Sequence, residues 1–129
     1  MTNVTHALNA YTQAKTSAAN PLDLVIMLYD GATDFLNKAS TAINMKETQT
    51  KIKYIDKTMS IIEELLNSLN IDEGGEVAIN LQSLYLYMLR ELTIANLHND
   101  AEKVRHIESL FKEIGAAWRQ VTITMDSTP

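Results

Sequence analysis

The residues with the best claim to chemistry are His98, Glu102 and His106, spaced four apart and able to present imidazole and carboxylate groups on one side of a helix. Such a face suits a transition metal. A di-iron bundle instead needs inward Glu-x-x-His pairs, and the chain has none. Glu102 and His106 also point away from the apolar positions Val104, Ile107 and Phe111 that would face a core. His98 falls before the expected start of the last helix, so the three read as solvated side chains. Gly74-Gly75 is too short for a phosphate cradle and reads as a turn. The absence of cysteine removes thiolate zinc sites, iron–sulfur clusters, disulfides and cysteine nucleophiles. No catalytic residue, metal or cofactor is expected.

The whole-chain properties agree. A length of 129 residues fits one domain with a real core. A net charge of −5 with no run of Lys or Arg argues against nucleic-acid binding. Nothing resembles a secretory signal, and no apolar stretch is long enough for membrane insertion. The expected location is cytoplasmic.

The elements follow from four apolar stripes at alternating steps of three and four. They are Leu22, Val25, Tyr29, Ala32, Leu36, Ala39, Ile43; then Ile52, Ile55, Met59, Ile62, Leu66, Leu69; then Ala78, Leu81, Tyr85, Met88, Leu92, Ala95; then Val104, Ile107, Phe111, Ile114, Trp118, Val121, Met125. This predicts an all-α fold, an antiparallel up-down-up-down four-helix bundle over residues 20–125. An N-terminal arm over 1–19, able to form a short extra helix, precedes it, and 126–129 is a frayed tail. Asn20 caps the first helix, with Pro21 at its first position and Asp23 in its first turn. Asn44 or Thr48 starts the second. Asn70 to Gly75 breaks the pattern before the third, and Asn99 with Glu102 opens the fourth.

An apolar surplus is left over. The first helix carries a second row, Leu24, Leu28, Gly31 and Phe35, and Gly31 leaves a gap where another backbone can approach. On the third helix Ile79, Leu86 and Leu97 lie nearly opposite Leu81, with Tyr87 and Ile94 in a third direction. These rows either widen the core or form a groove for a partner's amphipathic helices. Leu8, Ala10 and Tyr11 have no place in the stripes, and the arm either covers such a groove or packs permanently on the bundle.

Several segments resemble the FliS family of flagellin-export chaperones. They are Ala10-Tyr11, Asn20-Pro21-x-x-Leu24, Leu28-Tyr29-Asp30-Gly31-Ala32, Leu65-x-x-x-Leu69, Gly74-Gly75-Glu76-Val77-Ala78-x-Asn80-Leu81-x-x-Leu84-Tyr85-x-Tyr87, Leu92-x-x-Ala95-Asn96-x-x-x-Asp100 and Ala117-Trp118. The likeness runs in order from Ala7 to Trp118. It departs at Gly115-Ala116, where a longer and more polar pair is expected. The resemblance implies a cytoplasmic chaperone that binds the disordered C-terminal segment of flagellin, prevents premature polymerisation and delivers its client to a flagellar export gate component. An anti-sigma factor or a co-chaperone is a further partner class, and the expected state is monomer or weak dimer. Asp30, Asn80 and Asn96 are expected to be structural, as are Tyr29 and Tyr85. A homodimerising bundle without a client is the competing expectation; an enzyme would require a bound metal or chromophore.

Overall fold

A computed structural model describes residues 21–126, all but the turns helical. The helices are α1 (Pro21–Asn44), α2 (Thr48–Asn67), α3 (Ile71–His98) and α4 (Ala101–Asp126). The Asn20 cap, the arm with Leu8, Ala10 and Tyr11, the side chain of Met125 and residues 127–129 lie outside the description. Each helix packs on its neighbours in a closed ring, α1 most closely on α4 and α2, and α3 more loosely on α2 and α4. Every neighbouring pair is antiparallel. Lys51 at the start of α2 meets Asn96 and Asn99 at the end of α3, Glu91 pairs with Lys103, and Asp30 near the start of α1 pairs with Arg119 near the end of α4.

Three stripes face the core as expected, from Leu22 to Ala39, from Ala78 to Ala95 and from Val104 to Trp118. The stripe of α2 needs correction. Its buried line is Lys51, Ile55, Thr58, Ile62 and Leu65, while Ile52 is exposed and Met59 and Leu66 only flank the core. Two polar side chains can sit on this line because each finds a partner. The Thr58 hydroxyl donates to the Tyr54 carbonyl at 2.8 Å. Lys51 Nζ donates to the Asn96 carbonyl at 3.0 Å and to Asn99 Oδ1 at 2.7 Å. That places a cation on the last carbonyls of α3, where the helix dipole favours it. The core is therefore not apolar throughout: Glu108 is also buried, 3.4 Å from Lys112.

The turns correct two further expectations. Asn99 does not open α4. It adopts a left-handed conformation (φ 54°, ψ 47°) that ends α3, and the Asp100 N–H returns to the Ala95 carbonyl at 3.0 Å. Asp100 is the cap, its Oδ1 accepting from the Lys103 N–H at 3.0 Å. Thr48 begins α2, but the capping position is Glu47, whose side chain makes no cap hydrogen bond. At the start of α3, Asn70 Oδ1 accepts from the Glu73 N–H at 3.1 Å. Gly75 then breaks the helix at φ 57°, ψ −135°, a conformation open to glycine alone.

Two phenols span the middle of the bundle. The Tyr29 and Tyr85 hydroxyls lie 2.6 Å apart, both rings being fully buried, and Phe111 meets Tyr29 edge-on at 4.9 Å. Gly115, where the family-like pattern departs, lies against the same ring, with 3.7 Å between Tyr29 and the place a methyl would occupy. Burial pushes the Tyr29 hydroxyl up to about 12, partly offset by hydrogen bonds with Tyr85 and Trp118.

Because the folded state holds this proton more tightly than the unfolded chain, its contribution is complete below pH 10. It is lost as pH rises from 10 towards 12. Chemical denaturation across that window is expected to show a loss on the order of 2 to 3 kcal/mol from this group. Tyr29→Phe should flatten that part of the profile; an equally steep fall in the variant would place the titration elsewhere.

Candidate functional site

The two apolar rows have different surroundings. Leu24, Leu28, Gly31 and Phe35 are half-buried on the side of α1 that turns towards α2. A methyl at Gly31 would meet Ile61 Cδ1 at 3.4 Å, and the Phe35 ring lies 5.6 Å from that of Tyr54. The neighbour of Gly31 is thus the tip of a flexible side chain from the bundle itself.

The α3 row is far more open. Ile79 and Leu86 are each 49% exposed, Ile94 36% and Leu97 74%. At 100° per residue, Ile79, Leu86 and Leu97 fall within about 20° of one line along the helix. The line is roughly 27 Å long at 1.5 Å per residue. Exposed Ser83, Arg90 and Thr93 share it, so the strip alternates apolar knobs with small or charged groups. Tyr87 is half-buried beside it, with the Arg90 guanidinium 5.6 Å from its ring centroid. Asn80 is exposed and Asn96 half-buried, the latter giving its carbonyl to Lys51.

Periodicity overlooked three exposed apolar side chains: Met27 on α1, Met45 in the α1–α2 turn and Ile52 on α2. Met27 was legible, since it sits 200° from Val25 on the helical wheel. Ile52 was not, because its exposure depends on Lys51 taking the core position.

Among the described residues, no group of three or more His, Cys, Asp or Glu side chains could hold a metal ion. His98 ends α3, while Glu102 and His106 stand exposed on α4. A hollow of about 540 Å³ at the α1–α2 turn is lined by groups including Lys46, Glu47, Thr48, Lys51 and Asn99, and Lys51 there is committed to the end of α3. None of the described helices is long and apolar enough to cross a membrane. The arrangement presents a long apolar strip to water.

Since the space at Gly31 ends on a side-chain tip, Gly31→Ala is expected to stabilise the fold by about 0.5 to 1 kcal/mol through helix propensity. Thermal unfolding checks this. A lower melting temperature would mean that Ile61 cannot yield.

Comparison with known proteins brings in independent information. The family described as flagellar protein FliS matches residues 4–125. The chain is 36% identical over 120 residues to the flagellar secretion chaperone FliS of Salmonella typhimurium, covering 89% of each chain. It is 34% identical over 115 residues to the protein of that name from Campylobacter jejuni, covering 89% of this chain and 90% of the relative. With its Bacillus subtilis counterpart the identity is 32% over 111 residues, 86% and 82% of the two chains. A helical bundle with an open apolar strip, matched over most of its length by proteins of one kind, has one assignment: the chain belongs to the FliS family of flagellar proteins.

Proposed function

We propose that this protein, a chaperone of flagellar export by family, captures the disordered C-terminal segment of flagellin along the exposed strip of α3. There it holds the client unpolymerised in the cytoplasm and hands it to a flagellar export gate component. The observation that carries this reading is the row Ile79, Leu86, Ile94 and Leu97, left in water on a helix whose other side is fully committed to the core. The role is binding rather than catalysis.

Magnitudes set the form of the complex. The four side chains expose about two residues' worth of apolar surface, so covering them yields on the order of 4 to 6 kcal/mol. Folding a disordered client on binding costs at least about 2 to 5 kcal/mol. The strip alone leaves little surplus, so the client has to reach further. Tyr87 and the half-exposed margin of Leu24, Leu28, Gly31 and Phe35 on α1 are the proposed extension, in line with a segment that wraps the bundle. Leu8, Ala10 and Tyr11 of the arm are proposed to cover the groove until the client displaces them. Regulatory partners, such as an anti-sigma factor or a co-chaperone, would compete for the same apolar surface.

The test is calorimetric titration of the full chain with the C-terminal segment of flagellin from the same organism. Leu86→Asp is run beside it, its fold checked by circular dichroism. Tight binding with a strongly negative heat-capacity change is expected, weakened at least about tenfold in the folded variant. Binding that survives unchanged would move the client off α3. No binding, together with a concentration-dependent mass in light scattering, would assign the strip to a homodimer.

A further inference from the structure

The α1–α2 face differs in chemistry from the α3 strip. The stacked rings of Phe35 and Tyr54 are ringed by ammonium groups: Lys38 and Lys53 each lie 5.3 Å from the Tyr54 centroid, and Lys57 lies 5.6 Å from that of Phe35. Asp34 neutralises Lys38 at 3.0 Å. Among the described residues no carboxylate comes within ion-pair distance of Lys53 or Lys57, both exposed and one helical turn apart. A shallow hollow of about 320 Å³, lined in part by Lys38, Thr41, Thr50 and Tyr54, adjoins the rings.

The charge pattern is lopsided. Residues 38–57 hold five of the eight lysines against Glu47 and Asp56, a local net of +3 in a chain of net −5. No basic residue follows until Arg90, while Glu63, Glu64, Asp72, Glu73 and Glu76 fall between. Within α2 this places lysines towards the N-terminus and glutamates towards the C-terminus, the arrangement the helix dipole disfavours. Lys51 serves the end of α3, whereas Lys53 and Lys57 stand exposed with no ion-pair partner among the described residues.

We propose that this face docks an acidic amphipathic helix of a partner protein. Two carboxylates one turn apart on the partner pair with Lys53 and Lys57, and an apolar side chain between them rests on the Phe35–Tyr54 rings. A helical partner fits because the two free ammoniums repeat at the pitch of a helix. Nucleic acid and membrane surfaces fit less well. Among the described residues the rings carry two cations without an ion-pair partner, Lys53 and Lys57, and the net negative chain repels a dense array of phosphates. The proposal shares Phe35 with the margin proposed for the client but rests on Lys53 and Lys57, which the client reading does not use.

The probe is a synthetic amphipathic peptide of about 18 residues, with leucines on one face flanked by glutamate pairs one turn apart. It is titrated into isotope-labelled full-length protein at low and physiological salt. Amide shifts centred on Phe35, Lys53, Tyr54 and Lys57 are expected, with affinity falling as salt rises. Lys53→Glu with Lys57→Glu should weaken the peptide at least about tenfold. The same variant should stay folded by circular dichroism, since both side chains are exposed. It should still bind the flagellin segment, whereas Leu86→Asp should still bind the peptide. If the double reversal misfolds, Lys57→Gln alone supplies the comparison. Unshifted amides, equal affinity for the variant, or tighter binding of an RNA oligomer or phosphatidylserine vesicles would each overturn the proposal.

Discussion

The hydroxyls of Tyr29 and Tyr85 meet 2.6 Å apart in the centre of the bundle, joining the two helices that are diagonal to one another in the ring. A buried hydroxyl without a partner costs about 1 to 3 kcal/mol, so each phenol holds the other in place. The contact tolerates little sliding or rotation of α3 relative to α1. It thereby decides which side of α3 faces the core through Leu81, Tyr85, Met88 and Leu92 and which side is left outside. The exposure of Ile79, Leu86 and Leu97 follows from that register, and with it the open apolar strip of α3. Around this centre the ends are tied by charged and polar contacts, Lys51 to the last turn of α3 and Lys103 to Glu91. The exposed pair Asp30–Arg119 adds orientation between α1 and α4 more than stability.

Three helices were legible from apolar spacing because their core stripes are apolar, the buried Ser40 and Glu108 lying beside those stripes rather than on them. The second was legible in extent but not in rotation. Reading Ile52, Met59 and Leu66 as its seam assumes that a lysine cannot occupy the core, and Lys51 breaks the assumption by borrowing acceptors from a helix some 45 residues away in sequence. No local pattern carries that information. The Asn99–Asp100 pair failed for a related reason. Both residues suit a cap, and the choice turns on a left-handed backbone angle set by the end of α3 rather than by the start of α4.

The surface was legible in part. Surplus apolar residues announced themselves on α3 because the helix has no polar side to hide them. The row on α1 could not be distinguished from core widening, since that depends on how close α2 lies; Ile61 and Tyr54 turn out to be its immediate neighbours. The basic-aromatic face escaped notice because its members come from two helices. Phe35 and Lys38 on one, and Lys53, Tyr54 and Lys57 on the other, form a unit only when α1 and α2 pair.

The close packing of α1 against α4 has a consequence for biosynthesis. Among the described helices the earliest, α1, packs most closely on the latest, α4, so the stripe from Leu22 to Ala39 is not covered from both sides until α4 has emerged. The Asp30–Arg119 contact closes a loop of 89 residues, whose ordering entropy is met only once α4 is present. During translation this protein therefore carries its own unsheltered apolar helices, with Tyr29 unable to bury its ring. The tight α1–α2 pairing is the partial shelter available before α4 arrives.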